Sequence, residues 1–160
     1  MSADLKIRPL AGDDEAAQCA HLMAGTDPWI TLGRDYGASL RAIRDPSREV
    51  YVAEDENGVA GFLILCMVGA FVGYIQTVLV APGRRGKGIG SALVAFAEDR
   101  IFSDSPNVFL CVSSFNAGAR RLYERLGYQY VGELTDYIVR GHSELLFRKT
   151  SGPWSNFRKS

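Results

Sequence analysis

The chain has 160 residues, with 18 Lys or Arg and 18 Asp or Glu, so its formal net charge at pH 7 is +0. This balance does not favour nucleic acid or an anionic membrane as a partner, and a hydrophobic fraction of 47% argues against disorder. The length is that of one domain with a substantial core.

The N-terminus and the cysteines bear on the compartment. The first residues, MSADLKIRPL, lack the basic start and long apolar core of a signal peptide. Residues 59–72 are apolar but short and interrupted by glycines, so no membrane span is predicted. Cys19, Cys66 and Cys111 are widely spaced, which argues against a disulfide framework or a zinc site. We expect a cytoplasmic protein without a metal, in which the cysteines pack as small apolar residues.

Strand and helix patterns succeed one another in the first half of the chain. Alternating apolar residues over 5–10 predict a strand. Asp13 or Asp14 is placed to cap a helix that runs to about residue 24, and a second helix is expected over 36–44. Three strands are then predicted, at 50–54, 59–68 and 73–80. The first two of them are joined by a hairpin turn at Asn57-Gly58.

The second half continues the alternation. A helix follows the glycines near residue 90, and a short apolar run at 108–112 predicts a buried, parallel strand. Another helix begins at Asn116 and is stopped by Gly127, and strands follow at 127–132 and 144–147. The order β-α-α-β-β-β-α-β-α-β-β predicts an α/β fold with a mixed sheet of about six to seven strands. Residues 1–150 are expected to form one domain, and 151–160 a tail that frays or docks through its aromatic residues.

The most informative stretch runs from Gln76 to Arg100 and reads QTVLVAPGRRGKGIGSALVAFAEDR. A β-branched run leads into a glycine loop with three cations, Arg84, Arg85 and Lys87, and then into a helical pattern. The first N–H groups of a helix have no partner within it and lie at the positive end of its dipole. Glycines let a phosphate approach those groups closely. The loop therefore predicts a pyrophosphate site.

Three templates compete for this loop. The P-loop of NTPases needs Ser or Thr after Gly-Lys, but a glycine follows Lys87. The dinucleotide fingerprint G-x-G-x-x-G begins correctly but has Ser91 at its third glycine position. The pattern R/Q-x-x-G-x-G/A is met by Arg85, Gly88 and Gly90. The third template fits best, and the plain alternative is a glycine-rich turn before a core helix.

A second motif, NAGARRLYERLGY, spans residues 116–128. Asn116 is a favoured N-cap, and Tyr123 follows about two helical turns later, so both side chains point to nearly the same side. The pattern N-x-x-A-x-x-L-Y-x-x-x-G-[FY] is fully matched. With the V-x-V-x-P strand end and the glycine loop upstream, the chain resembles the GNAT superfamily of N-acetyltransferases over about residues 4–150.

The resemblance implies acetyl-CoA as cosubstrate and direct transfer of its acetyl group to a primary amine in a ternary complex. The strand end that would pair with the pantetheine arm comprises Val78, Leu79 and Val80. The loop that would hold the pyrophosphate comprises Arg85, Gly86, Lys87, Gly88, Ile89, Gly90 and Ser91. Asn116 would contact the pantetheine or order the site, and Tyr123 would be the general acid that protonates the CoA thiolate. A phenol, with an ordinary pKa of about 10, is protonated at neutral pH and suits that role.

No general base is evident. In the ribosomal-protein N-terminal acetyltransferases, a branch of this family, a glutamate lies on the strand before the second motif. The equivalent place here, near Cys111, holds no carboxylate. The strand before the glycine loop offers only Tyr74, Gln76 and Thr77. More distant candidates are Glu54, Asp136 and His142. The remaining interpretations are that the proton leaves through water or that the amine binds already neutral.

By the same resemblance, the acceptor groove lies between the connection of the first two helices, here 25–36, and the loop at 133–142. These segments carry Trp29, Arg34, Asp35, Tyr36, Asp136, Tyr137 and Arg140. Asp35 and Asp136 beside aromatic rings would suit a cationic amine. The mixture of charges does not choose among a polyamine, an amino acid, an aminoglycoside and a peptide N-terminus.

Two classes of function remain open. The presence of Tyr123 favours an N-acetyltransferase that acts on a small amine or a peptide N-terminus. The missing base favours a catalytically weak acyl-CoA-binding or regulatory module. A domain that uses the glycine loop for NAD or ATP is a more distant third. A homodimer is compatible with the sequence.

Overall fold

The computed structural model describes residues 4–159, and in them seven strands and four α-helices follow in the predicted order. The strands are β1 (Lys6–Pro9), β2 (Arg48–Asp55), β3 (Gly58–Cys66), β4 (Tyr74–Val80), β5 (Asn107–Ser113), β6 (Gln129–Leu134) and β7 (Glu144–Thr150). The helices are α1 (Gly12–Ala24), α2 (Tyr36–Arg44), α3 (Ile89–Phe102) and α4 (Ala117–Arg125). The predicted class, an α/β fold with a mixed sheet, is confirmed.

The sheet has the strand order β1-β2-β3-β4-β5-β7-β6. Every neighbouring pair is antiparallel except β4 and β5, so the prediction of a parallel strand at 108–112 is right for one of its two edges. The parallel ladder has only two residue pairs, Tyr74 with Phe109 and Ile75 with Leu110. From Gln76 onward, the edge of β4 that faces β5 has no strand partner among the described residues. The middle of the sheet is therefore open.

A β-bulge lies where β4 leaves β5. Ile64 of β3 pairs with Thr77 and Leu65 pairs with Ile75, so Gln76 is an extra residue on β4. Such a bulge bends its strand and redirects the side chains beyond it. The bulge and the short parallel ladder together place the opening at the centre of the sheet.

Helices cover both faces of the sheet. Because side chains alternate along a strand, Phe62 and Ile64 of β3 pack with α1 and α2, while Leu63 and Leu65 pack with α3 and α4. The buried residues of α3 recur at helical spacing and comprise Ile89, Leu93, Val94, Ala97 and Ile101. The sheet therefore separates two apolar layers, and the opening between β4 and β5 connects them.

The start of α1 and the C-terminal tail were both the subject of predictions. Neither Asp13 nor Asp14 caps α1, because the helix begins earlier, with Ala11 as its N-cap. The Glu15 carboxylate reaches back to accept a hydrogen bond from the Ala11 N–H at 2.8 Å, in the manner of a capping box. In the tail, Trp154 is 53% exposed and its ring lies 5.4 Å from that of the half-buried Phe157, so docking through these aromatic residues stays a prediction.

Gly73 lies directly before β4, and its carbonyl accepts a hydrogen bond from the Phe109 N–H of β5 at 2.9 Å. We expect Gly73→Ala to destabilise the fold strongly. Its φ is +95°, and a Cβ there would overlap the Asn107 carbonyl oxygen and lie 2.6 Å from the Ile101 Cγ2. Strain and overpacking together predict a loss of about 3 kcal/mol in the free energy of unfolding, measurable by urea titration. Gly69 has a similar φ of +91° but open space around it, so Gly69→Ala should cost only about 1 kcal/mol. Equal losses would contradict the predicted overlap.

Candidate active site

A cavity of about 670 Å³ occupies the opening between β4 and β5. This volume is in the range of small-molecule binding sites. Its wall is formed by residues of β4, β5, α4, the connection before α2, α2 itself and the segment that enters β7. The cavity therefore brings together segments from both halves of the chain.

One part of the cavity wall is formed by residues from both sequence motifs. Val78 of β4, Asn116 and Tyr123 all line the cavity. The Asn116 Oδ1 accepts a hydrogen bond from the Ala119 N–H at 3.2 Å, so Asn116 is the N-cap of α4 that the sequence predicts and also a wall residue. The structure thus places three of the predicted site residues around one space.

Tyr123 is packed among apolar side chains, with only 8% of its surface exposed. Its ring contacts that of Tyr128 edge-on at 5.7 Å, and its hydroxyl makes no hydrogen bond to a described residue. Burial raises the pKa of Tyr123 to about 12, because the phenolate is poorly solvated there. The phenol therefore keeps its proton throughout the neutral range.

The glycine loop precedes α3 at the edge of the open strand. Gly88, with φ +80°, is the N-cap of α3, and no side chain of the described chain caps this helix. The first helical hydrogen bond runs from the Ala92 N–H to the Gly88 carbonyl at 3.0 Å. The N–H groups of Ile89, Gly90 and Ser91 precede it and have no helical acceptor. The loop thus presents a row of backbone donors, as an anion site requires.

The three cations of the loop are not equivalent. Arg84 forms an ion pair with Asp55 at 2.8 Å and also donates to the Asn57 carbonyl, which ties the loop to the hairpin between β2 and β3. Arg85 and Lys87 are exposed and make no ion pair with a residue between 4 and 159. Two of the three charges are therefore available to a ligand.

The other predicted cofactor residues differ in what they present. The side chains of Leu79 and Ile89 are buried in the two apolar layers, at 2% and 5% exposure. These residues can meet a ligand only through their backbone. Val80 is half-buried, and Gly86 has φ +77°, a conformation that favours glycine.

The acceptor side of the cavity agrees only in part with the predicted groove. Trp29, Arg34 and Tyr137 line it, whereas Asp35, Tyr36, Asp136 and Arg140 lie outside its described lining. The two aspartates have local tasks instead. Asp35 caps α2 by accepting from the Ala38 N–H, and Asp136 accepts from the Gly141 N–H, each at 2.8 Å. Their role in holding a cationic amine stays a prediction, since each already accepts a local backbone hydrogen bond.

Arginines dominate the outer part of the same wall. The cavity is lined by Arg34, Arg41 and Arg48. The Arg48 Nε donates to the Gln76 side chain at 2.6 Å, which connects β2 with the bulge of β4. Arg34 and Arg41 are exposed, and their guanidinium groups make no ion pair or hydrogen bond with a described residue. This rim is positively charged.

None of the three candidate bases named from the sequence reaches the cavity lining. Glu54, on β2, forms an ion pair with Arg8 at 3.0 Å between Oε2 and Nε. The His142 ring packs against the Phe115 ring at 4.9 Å between centroids. The sequence reasoning missed Glu144, the first residue of β7, which lines the cavity and is only 5% exposed. The Ser113 Oγ donates to its Oε2 at 2.6 Å. Burial raises the pKa of Glu144, and the hydrogen bond partly opposes that shift.

The cysteines are free, as expected. Cys19 is fully buried in the layer under α1 and behaves as a small apolar residue. Cys111 differs from that expectation, because it lines the cavity next to Tyr74. Burial raises the pKa of the Cys111 thiol, which argues against a nucleophilic role.

Among residues 4–159, no group of three or more His, Cys, Asp and Glu side chains is arranged to hold a metal ion.

Comparisons with known proteins identify the family of the chain. The model of the acetyltransferase (GNAT) family matches residues 15–128. The N-alpha-acetyltransferase RimI of Mycobacterium tuberculosis is 30% identical over 146 residues, which is 86% of this chain and 88% of that protein.

Two solved structures show the same fold. An aminoglycoside 6'-N-acetyltransferase complexed with coenzyme A superposes with a TM-score of 0.75 at 18% identity, covering 92% of this chain and 98% of its own. The spermidine N-acetyltransferase of Vibrio cholerae, in complex with CoA and spermine, superposes with a TM-score of 0.71 at 20% identity, covering 97% and 100%.

The helices of the described chain include none that is long and apolar enough to cross a membrane. The family match covers well over half of the chain, and the cavity is lined by the strand that leads into the glycine loop and by the second motif. The chain belongs to the GNAT family and is an acyl-CoA-dependent N-acetyltransferase.

Proposed function

We propose that this enzyme transfers an acetyl group from acetyl-CoA directly to the primary amine of an acceptor that also carries an anionic group. The observation that carries the proposal is the cavity itself, which joins Val78, Asn116 and Tyr123 to an arginine rim through the opening between β4 and β5. Donor and acceptor can thus approach from opposite sides and meet near Tyr123. A ternary complex then needs no acyl-enzyme intermediate.

The donor site rests on the open edge of β4. Because β5 leaves after Ile75, the backbone groups of Val78 to Val80 on that side have no strand partner in the described chain. A pantetheine arm, with its two amides, can add there as an extra strand does. The loop from Arg85 to Ser91 then receives the pyrophosphate on its backbone N–H groups. Asn116 orders the start of α4 and contacts the arm.

Tyr123 is the general acid in this proposal. As the C–S bond breaks, its electron pair stays on sulfur, and the thiolate takes the phenol proton. Burial favours this role because the Tyr123 phenol remains protonated at neutral pH. The alternative, an acyl-CoA-binding module without turnover, is less well supported, because the cavity holds both a protonated phenol and a carboxylate.

The first experiment is acetyl-CoA-dependent release of free thiol across a panel of amines, with the N-acetyl product identified by mass spectrometry. We expect release with at least one class of acceptor. Silence across the panel, in protein shown by calorimetry to bind acetyl-CoA, would instead favour the binding module. Stabilisation by NAD but not by acetyl-CoA in a thermal shift assay would contradict the donor assignment.

The arginine rim, Arg34, Arg41 and Arg48, supports the proposal that the acceptor carries an anionic group. A polyamine would bring further cations beside Arg34, Arg41 and Arg48, and like charges repel. Asp45, a carboxylate in the same wall, is already engaged by the Ser47 hydroxyl at 2.7 Å. A carboxylate or phosphate on the acceptor would instead meet two guanidinium groups that have no other partner in the described chain. Amino acids and acidic peptides have this chemistry.

We expect Arg41→Gln to raise the KM of an acidic acceptor about tenfold and to leave the KM of acetyl-CoA unchanged, because one charge-assisted contact is lost. Steady-state kinetics with an amino acid and with its amide, which lacks the carboxylate, measures this effect. The matched control is Arg44→Gln on the same helix, since Arg44 is paired with Asp13 at 3.2 Å and lies outside the cavity lining. If the acid and the amide respond equally to Arg41→Gln, the anionic acceptor is contradicted.

A further inference from the structure

Glu144 is a buried carboxylate whose partners do not balance its charge. It is 5% exposed, yet it makes no ion pair with a residue between 4 and 159. Its one side-chain hydrogen bond comes from the neutral Ser113 hydroxyl, at 2.6 Å to Oε2. Its other oxygen, Oε1, accepts no hydrogen bond from the described residues. A buried carboxylate is costly unless a cation or a proton compensates it.

The placement of Glu144 follows from strand pairing. It begins β7 and lies directly opposite Ser113, the last residue of β5. Because alternate residues of a strand share a face, Ser113 and Cys111 point the same way, and Glu144 joins them there. Three titratable groups are its neighbours: Tyr74 on β4, Cys111 on β5 and Tyr137 before β7. None of them carries a positive charge, so the compensating cation is missing from this part of the chain.

The compensating positive charge can arise within the cavity, because a neutral amine nitrogen becomes cationic as it attacks a thioester carbonyl. Glu144 lines the same space as Tyr123 and Val78, on the side that the arginine rim also lines. We propose that Glu144 receives the amine of the acceptor and takes its proton as the C–N bond forms. This inference rests on the proposed acetyl transfer and adds the proton acceptor that the motifs do not contain.

The neutral amine attacks the thioester carbonyl carbon, a C–N bond forms, and the carbonyl oxygen becomes an oxyanion. The oxyanion collapses, the C–S bond breaks, and the thiolate takes the Tyr123 proton. The proton on nitrogen passes to the Glu144 carboxylate. Water then removes the proton from Glu144 and returns one to Tyr123, so the products are the N-acetyl amine and free CoA.

Ser113 has a positioning role in this arrangement. Its hydroxyl fixes Oε2, which leaves Oε1 to face the amine. Ser113→Ala should therefore lower kcat about tenfold, with little change in acetyl-CoA affinity. The raised pKa of Glu144 strengthens its basicity, since a base works best when its pKa approaches the working pH.

The decisive variant is Glu144→Gln, which keeps the shape and an oxygen that can accept the Ser113 hydrogen bond. We expect an unchanged melting temperature and acetyl-CoA affinity, and a fall in kcat of about 100-fold. Glu133→Gln, on the exposed face of neighbouring β6, is the matched control and should leave the rate unchanged. Turnover of Glu144→Gln within about threefold of the wild type would overturn the inference.

The pH profile of kcat/KM supplies a readout that a structural role would not produce. In the wild type, the rate should fall about tenfold per pH unit where only the acceptor amine is protonated. It should fall about a hundredfold per unit below the pKa of Glu144, where both groups are protonated. Glu144→Gln should keep only the shallower slope. An unchanged steep slope in that variant would assign the second proton to another group and overturn the role of Glu144.

The outcomes separate this inference from the proposed function. An inactive wild-type enzyme that binds acetyl-CoA would remove the proposed transfer and the role of Glu144 with it. An active wild type with an equally active Glu144→Gln variant would remove the base alone and leave the transfer standing.

Discussion

Tyr123→Phe should lower kcat at least about 100-fold while acetyl-CoA affinity stays within about twofold of the wild type. The reason is that the substitution removes only the proton that the departing thiolate takes. The ring stays packed in its apolar layer, so the fold should lose less than about 0.5 kcal/mol. Pre-steady-state kinetics with acetyl-CoA and a saturating acceptor would measure the loss.

Tyr128→Phe is the control that this structure offers. The Tyr128 ring contacts that of Tyr123, but its hydroxyl is buried without a hydrogen-bond partner among residues 4–159 and lies outside the cavity lining. Removing an unsatisfied hydroxyl should leave turnover unchanged and the stability unchanged or slightly higher. If both variants lose activity equally, the effect belongs to the aromatic pair and not to the Tyr123 proton. Unchanged turnover in Tyr123→Phe alone would remove it as the acid.

The pH dependence offers a second check on Tyr123. Since burial raises its pKa to about 12, the phenol gives no basic limb to the rate until the pH approaches that value. A fall in kcat between about pH 8 and pH 10 in the wild type, absent in a variant at another group, would assign the acid elsewhere.

Gly88→Asp should abolish binding of acetyl-CoA, with an affinity loss of more than about 100-fold. Gly88 is the N-cap of α3, and a carboxylate there would lie where the backbone donors and the helix dipole favour a phosphate. The added negative charge would both repel the pyrophosphate and compete for its N–H donors. Isothermal titration calorimetry with acetyl-CoA measures the effect directly.

Two controls separate charge from backbone strain. Gly88→Asn has nearly the same shape, tolerates the left-handed conformation and carries no charge, so it should retain much more affinity than Gly88→Asp. Gly12→Asp introduces the same side chain at φ +77°, with nothing within 4 Å of its Cβ, at the start of α1. It should cost stability but leave acetyl-CoA binding intact. Normal affinity in folded Gly88→Asp would refute the phosphate site.

The local structure of the donor half of the site could be predicted from short sequence motifs. The glycine loop, the cap at Asn116 and the position of Tyr123 depend on neighbours within one helix and the turn before it. Short-range rules therefore predicted their structure, and the helix over 36–44 was placed at the observed bounds of α2. The cofactor contacts and the role of Tyr123 remain predictions.

The acceptor half depends on contacts that no local pattern reveals. Glu144 enters the cavity because β7 pairs with β5, which brings it beside Ser113 from 31 residues away. Asp35 directly precedes α2, and the capping rule predicts the hydrogen bond that it accepts from the first turn of that helix. The arginine rim draws on α2 and β2 together and becomes visible only after folding.

The two-pair ladder between β4 and β5 also bears on how the protein holds together. So few backbone hydrogen bonds join the two halves of the sheet that their cohesion depends on side chains packed across the junction. Helix α3 provides these, since it packs on β3, β4 and β5 at once. The helix whose first turn we propose as the pyrophosphate site is thus also the one that joins the halves. If cofactor binding orders that first turn, we expect it to stabilise the junction between the two halves of the sheet as well.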